Sequence, residues 1–182
     1  SKIIENTKKR SDYNGLLEKS KIENDFDREI KFSKLVGTLG VIAYLMSFSA
    51  IGIGQLGFEY SAYGFVILFC VLNVKNGPTN AKRAGGEFNI YSIIPYIFLI
   101  IESSLSIILL NSNSEWIVDT DIKGSKYKNF MNGLKNIFII QILLTQASIK
   151  NIPIVSLNIL LFIIWLFVYI IFSKMLENQK IV

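Results

Sequence analysis

The chain has 182 residues and a formal net charge of +5, and 51% of its residues are hydrophobic, a high fraction for a soluble domain of this length. It has no histidine and a single cysteine, which excludes histidine-based catalysis, His- or Cys-based metal sites and intrachain disulfides. Its Lys and Arg residues flank apolar runs and are not interleaved with aromatic residues, which argues against nucleic-acid binding.

The first 34 residues form a mixed-charge segment, with nine of the 19 basic and seven of the 14 acidic residues. Ile22, Phe26 and Ile30 recur at helical spacing, which predicts an amphipathic helix over about 12–31. We expect a cytosolic, solvated helix docked on the protein's own cytosolic face; docking on a partner or on anionic headgroups is the alternative. No signal-peptide pattern precedes the first apolar run, so we expect that run to remain in the mature protein.

Five apolar runs follow, and the charges are confined to the segments around them. Residues 35–58 carry no charge in 24 positions and residues 151–173 carry none in 23, lengths typical of membrane spans and not of buried core helices. The predicted fold is an all-α, polytopic integral membrane helical bundle over 35–173, with a polar tail at 174–182. Spans are predicted at about 35–57, 60–74, 91–110, 134–149 and 154–173.

The first span is rich in small residues, which let helix backbones approach closely in lipid. We therefore expect it to lie centrally in the bundle. The positions assigned to helix packing are Gly37, Gly40, Ser47, Gly52 and Gly54. A short link at 58–60 is predicted to lead into the second span, and Asn76-Gly77-Pro78 predicts a turn within the connection at 75–87.

The distribution of Lys and Arg predicts that the N-terminus is cytosolic. If all five runs cross, the cytosolic segments hold nine of these residues at 1–34, three at 75–87 and one at 150, and the other six of the 19 lie outside. If the fourth run lies in the membrane interface, the bundle has four spans and the C-terminal tail is cytosolic. The charge rule permits both topologies, and the tight link at 150–153 favours five spans.

Glu102 is the leading candidate for a functional residue, because a carboxylate in the middle of an apolar span is costly unless it meets a partner or a water-filled path. Pro95 is expected to kink the same helix and to free a backbone carbonyl near Tyr91. One interpretation makes Glu102 a proton acceptor, a cation ligand or a pore-lining acid. The other makes it a neutral hydrogen-bonding group that holds helices together. The intramembrane polar candidates are Glu102, Ser103, Ser106, Gln141, Thr145, Gln146 and Asn158.

Two short motifs do not indicate an enzyme. Residues 52–57 match GxGxxG, but no strand precedes them and no acid follows at the required distance, so a bend or helix packing is expected there. Asp119 and Asp121 form an isolated acidic pair in a polar loop, which is weak evidence for a divalent cation and a sugar phosphate. We predict no catalytic residue, no metal site and no cofactor.

The sequence predicts a non-enzymatic integral membrane protein that acts as a structural, accessory or assembly subunit of a larger membrane complex. Its expected partners are the lipid bilayer and other membrane subunits, or further copies of the chain, and not nucleic acid. A small oligomeric channel or transporter with Glu102 along the path is the first alternative. An enzyme acting on a lipid or a lipid-linked substrate is the second.

Overall fold

The computed structural model describes the backbone of residues 1–118, 120–148 and 151–181, and the side chains at these positions except 116, 118, 120–128, 146–148, 152 and 179–181. Every regular element in this part of the chain is helical, as predicted. In order these are α1 (Lys2–Ser49), α2 (Ile53–Arg83), a short 3-10 helix (Ile90–Ile93), α3 (Ile94–Val118), α4 (Thr120–Ser148) and α5 (Ile152–Ile181).

Four helices, α1, α2, α3 and α5, contain stretches long and apolar enough to cross a membrane. This confirms the all-α class. The four helices found among the described residues are consistent with an integral membrane protein, whereas five spans are predicted. The predicted fourth span belongs to α4, which has 29 residues but carries lysine, asparagine and glutamine side chains along its length.

Helix α1 is continuous over 48 residues, about 72 Å at 1.5 Å per residue. The predicted amphipathic helix and the first span are therefore parts of one helix. Residues 2–25, which we call the N-terminal arm, are exposed throughout. Contrary to the sequence-based expectation, the arm does not fold back onto the bundle. Contact with the bundle begins at the Glu23 carbonyl, which accepts a weak hydrogen bond from Arg83 at 3.5 Å, and Phe26 is the first buried side chain.

The break between the first two helices lies at residues 50–52, earlier than the link predicted at 58–60. Gly52 stands directly before α2 with a φ of 65°, a conformation that favours glycine because it has no Cβ. The turn therefore falls where the backbone can reverse. As a consequence Glu59 lies inside α2 and not in a link.

Helices α1 and α2 pack as a close hairpin. A Cβ added at Gly37 would lie 2.8 Å from the Phe69 ring, and one at Gly40 would lie 3.0 Å from Val66. The two glycines thus make room for side chains of α2. Further along the hairpin, the Asn73 Nδ2 donates to Ser33 Oγ at 2.8 Å.

Helix α2 continues through Pro78 to Arg83, whereas the sequence predicts a turn at Asn76-Gly77-Pro78. A proline inside a helix removes one backbone hydrogen bond and tends to break the helix. Here the extension lies against α1: Lys75 pairs with Glu29 at 2.8 Å and Arg83 pairs with Asp27. These pairs hold the extension against α1, but each solvent-exposed pair contributes at most about 1 kcal/mol, which is less than the local cost of the proline.

Helix α3 has no kink at Pro95, contrary to the sequence-based expectation. Pro95 is the second residue of α3, a position where the missing N–H has no intrahelical partner to lose. The irregular position is Asn113 instead, with φ −132° and ψ 21°, near the far end of the helix. The backbone around Glu102 is therefore regular.

Helix α4 lies in the bundle alongside α3 and α5. Phe130 stacks on Phe172 of α5 with ring centroids 5.8 Å apart, and Phe138 contacts Tyr44 of α1 and Tyr63 of α2 at 4.9 and 5.6 Å. Helix α4 therefore contacts α5 through the partly buried Phe130 ring, and α1 and α2 through the buried Phe138 ring. This position brings its polar side chains into the interior.

Candidate functional site

Glu102 lies on α3 with its side chain fully buried, at 0% exposure. The Nε2 of Gln141 on α4 donates to its Oε1 at 2.7 Å. Gln141 is itself 1% exposed, so the hydrogen bond is shielded from solvent. Since removing either partner would leave the other buried and unsatisfied, this contact ties α4 to α3.

The other polar candidates whose side chains the structure describes are also buried, with at most 6% exposure. Thr145 lies one turn beyond Gln141 and its hydroxyl donates to the Gln141 carbonyl. Asn158 on α5 is buried, yet its Nδ2 donates to the Ile154 carbonyl of its own helix at 3.2 Å. Ser103 and Ser106 are buried on α3. The side chain of Gln146 lies outside the described residues.

A second polar contact, which the sequence analysis missed, joins α2 to α4. Glu59 and Lys135 form an ion pair with 0% and 2% of their side chains exposed. Gln55, one turn before Glu59, donates weakly to the same carboxylate at 3.4 Å. A buried ion pair costs desolvation energy, so losing one partner is far more damaging than losing a surface pair.

The surroundings of this ion pair are apolar and nearly dry. The Lys135 ammonium lies 5.2 Å from the centre of the Phe48 ring of α1, within the range of a cation–π contact. A cavity of about 10 Å³ adjoins the pair and also touches Tyr63 and Ser106. That volume is at the lower limit for one water molecule. The two charges are therefore balanced by each other and not by bulk solvent.

The sequence does contain a signal for this pair. Glu59 is the single charged residue between positions 35 and 74, and Lys135 is the single one between 129 and 149. Lone opposite charges at the edges of two apolar runs are candidates for pairing. Assigning Glu59 to a link and Lys135 to a polar connection concealed the relationship.

The remaining positions assigned to helix packing differ in their surroundings. Ser47 is fully buried and its hydroxyl donates to the Tyr44 carbonyl at 2.6 Å. Gly52 forms the turn between α1 and α2, and a Cβ at Gly54 would meet nothing nearer than Ala50 at 4.0 Å. Close interhelical approach therefore occurs at Gly37 and Gly40, while Gly52 and Gly54 belong to the turn region.

The opposite end of the bundle is held by exposed charges. We call residues 26–34 and 75–89 the basic end, because they carry six Lys and Arg against three Asp and Glu. Arg83 pairs with Asp27 and lies 4.5 Å from the centre of the Phe26 ring. The hydrogen bond from Lys75 holds the pKa of Glu29 below its ordinary value. The positive charge of Lys75 and the Asn76 amide also lower this pKa.

Neither enzyme-like motif gains support from the geometry. Residues 52–57 form the turn before α2 and its first residues, and α1 precedes them where a dinucleotide fold would need a strand. Asp119 and the side chain of Asp121 lie outside the described residues. Among the described side chains, no group of three or more Cys, Asp and Glu is placed to hold a metal ion.

The arrangement is suited to joining helices. Two buried polar contacts, Glu59 with Lys135 and Glu102 with Gln141, hold α4 at two depths of the bundle. Comparisons of the chain with protein-family models, with curated proteins and with solved structures find no match. The functional argument therefore rests on the residues of this chain alone.

Proposed function

We propose that this chain is a non-enzymatic integral membrane protein that acts as an accessory or assembly subunit, and that it recruits a partner through its N-terminal arm. The observation that carries the proposal is the arm itself, residues 2–25 of α1, which leaves the bundle as a fully exposed helix. The partner we infer is another membrane protein that presents a cytosolic amphipathic helix.

The physical argument is that helices in proteins gain most of their stability from packing of an apolar face and little from the propensity of their residues. Six large apolar side chains of the arm are at least 51% exposed. At about 100° per residue, four of them fall within one arc of roughly 140°, the width of an interaction stripe. These four are Ile3, Tyr13, Leu16 and Leu17. A helix laid along this stripe would bury it and would stabilise the arm.

The buried polar residues support assembly more than transport. Glu102 is fully buried and hydrogen-bonded to Gln141 of the same chain, an arrangement suited to helix packing. No feature of this contact favours the alternative in which Glu102 lines an ion or proton path. The bundle would then serve as a membrane anchor that displays the arm.

We further propose five spans with a cytosolic N-terminus. The two buried contacts to α4 support a crossing α4, because a lysine and a glutamine can lie within the membrane if neighbouring helices meet them. The positive-inside rule supports the orientation, since the basic end lies on the same side as the arm. In this topology the link at Asn151 is cytosolic and the C-terminal tail is external.

Cysteine labelling tests the topology, because Cys70 is the sole cysteine and is buried. Single cysteines at Ser11, Ile51, Asn151 and Glu177 are introduced into a Cys70→Ala chain and labelled with a membrane-impermeant maleimide on intact cells. Five spans predict labelling of the Ile51 and Glu177 sites only. Labelling of the Asn151 site with protection of the Glu177 site would instead indicate four spans.

Site-specific photocrosslinking tests the docking function. A crosslinker at Leu17 lies within the proposed stripe, and one at Lys8 lies on the opposite side of the same helix. We expect one discrete, stoichiometric adduct with a membrane protein from position 17 and none from position 8. The L16E/L17E variant should then lose the complex on native gels while retaining the thermal stability of the bundle. Equal adducts from both positions, or an intact complex in the double variant, would overturn the proposal.

A further inference from the structure

A cleft of about 510 Å³ opens at the basic end, between α1, α2 and the segment that connects α2 to α3. The connecting segment lies close to α2, because a Cβ at Gly77 would lie 2.9 Å from the Phe88 ring. Ser33 and Lys34 come immediately before the first apolar run, and Asn73 comes at the end of the second. The cleft therefore lies at the boundary between the apolar and polar parts of the bundle.

Amide side chains line one wall of this cleft. Asn73, Asn76 and Asn80 follow one another at three- and four-residue intervals on α2, so they share a face of the helix. Asn73 is already engaged with Ser33 and with its own helix. Asn76 is 6% exposed and lies beside the Glu29 carboxylate, yet its Nδ2 makes no hydrogen bond of ordinary length with the described residues. A buried donor in this state favours a ligand that can accept from it.

The charges and the floor of the cleft define what that ligand must be. Lys34 contributes a cation from α1, and Glu87 contributes an anion from the connecting segment. The apolar floor of the cleft consists of Leu72, which is partly exposed, and Phe69, which is 1% exposed. A ligand that matches the cation, the anion and the apolar surface of the cleft carries an anionic oxygen, a hydrogen-bonding cation and an apolar part.

We propose that the cleft binds the headgroup of a glycerophospholipid that has a primary ammonium, with its phosphate at Lys34 and Asn76 and its ammonium at Glu87. The phosphate accepts charge-assisted hydrogen bonds from the lysine and from the unsatisfied amide. The ammonium donates to the Glu87 carboxylate, and the start of an acyl chain covers Leu72. This site does not depend on the docking function proposed for the arm.

Soluble short-chain lipids provide the test, measured by native mass spectrometry and by thermal shift of the full chain in detergent. Dihexanoyl phosphatidylethanolamine should bind more tightly than its phosphatidylcholine and phosphatidylglycerol counterparts. Phosphatidylcholine carries a quaternary ammonium that cannot donate to Glu87, and phosphatidylglycerol leaves Glu87 without a cation. O-phosphoethanolamine, the headgroup alone, should bind more weakly because it leaves the apolar floor uncovered.

Four variants locate the binding. Lys34→Gln should weaken all three lipids by about tenfold, the effect expected for loss of one charged hydrogen-bond partner. Glu87→Gln should abolish the preference for the ethanolamine lipid and leave phosphatidylcholine binding unchanged. Lys31→Gln and Asp25→Asn remove the same charges from exposed residues outside the lining of the cleft, and they should have no effect.

Each of three results would overturn the proposal. The first is an equal loss in Lys31→Gln and Lys34→Gln, which would indicate diffuse surface electrostatics. The second is an ethanolamine preference that survives Glu87→Gln. The third is binding of O-phosphoethanolamine as tight as that of the lipid, which would indicate a soluble phosphate ligand. An Ala81→Phe variant, which fills the cleft from its wall, should abolish binding if the site is correctly placed.

Discussion

Lys135 of α4 and Glu59 of α2 form an ion pair whose two side chains are 2% and 0% exposed. The pair lies near the end of the bundle where α1 turns into α2, and Phe48 of α1 covers the lysine. A single side chain of α4 thus contacts both helices of the α1–α2 hairpin. This contact explains how α4, which is not among the described helices long and apolar enough to cross a membrane, is retained in the interior.

Removing one member of this pair should destabilise the protein strongly. Lys135→Met has a similar length but leaves the Glu59 carboxylate buried without its cation, so we expect the free energy of unfolding to fall by about 3–5 kcal/mol. The double variant E59L/K135M should recover most of this loss, because it removes both buried charges. Thermal unfolding of the purified chain in detergent measures both effects.

Lys9→Met is the matched control for that experiment. It breaks the exposed pair between Lys9 and Glu5, whose atoms are 3.6 Å apart and whose side chains are both mostly exposed. A surface pair of this kind contributes at most about 1 kcal/mol. If Lys135→Met and Lys9→Met lower the Tm equally, the buried pair does not hold α4 in place.

The contact between Glu102 and Gln141 should respond to shape and hydrogen bonding more than to charge. Glu102→Gln keeps an oxygen that can accept from the Gln141 Nε2, so the free energy of unfolding should change by less than about 0.5 kcal/mol. Glu102→Leu removes the acceptor and should cost about 1–2 kcal/mol. A double-mutant cycle with Gln141→Leu in detergent measures the coupling between the two residues.

The same variants distinguish assembly from transport. If Glu102 carried protons or cations, Glu102→Gln would abolish flux into liposomes while leaving the bundle intact. We expect no flux above that of empty liposomes from the unmodified chain. Flux that depends on Glu102 would contradict the assembly role proposed for the bundle.

The sequence predicts the apolar helices well because their signal is local. Residues 35–58 and 151–173 lack any charge, and a helix is the element that satisfies every backbone group in lipid. The small residues at Gly37 and Gly40 are likewise local signals of close helix approach. These features depend on short stretches of chain and not on the arrangement of the bundle.

Helix ends and polar partners could not be predicted in the same way. Asn76-Gly77-Pro78 indicates a turn locally, whereas α2 continues past it and pairs with α1 through Lys75 with Glu29 and Arg83 with Asp27, which are distant in sequence. Glu59 and Lys135 are far apart in sequence, so their pairing depends on the order in which helices pack. The candidate site was therefore predicted at Glu102 and missed at Glu59.

Gly37 should be intolerant of any side chain. A Cβ at this position would lie 2.8 Å from the Phe69 ring, so Gly37→Ala must displace the ring or separate α1 from α2. We expect a loss of about 1–3 kcal/mol, typical of overpacking, as a lowered Tm in detergent. Phe69→Leu in the same chain should restore part of the loss. Gly54→Ala is the control, since its Cβ would meet nothing nearer than 4.0 Å, and an equal loss there would contradict the steric explanation.

The basic end should loosen in mild acid because of Glu29. The pKa of Glu29 is lowered from 4.5 chiefly by its hydrogen bond to Lys75, so the folded state binds this proton less tightly than the unfolded state. The contribution of this pair to stability is therefore fully present above about pH 4.5 and is lost as the pH falls through the lowered pKa. The effect is small in size because the groups are exposed to solvent.

Tm profiles of the unmodified chain and of Glu29→Gln should accordingly differ at neutral pH and converge as the pH falls below 4.5. Glu18→Gln, an exposed acid of the N-terminal arm, should run parallel to the unmodified chain over the same range. Lys75→Gln should reproduce the Glu29→Gln profile, because either change removes the same contact. Profiles that stay separated in acid would show that Glu29 acts by packing and not through its charge.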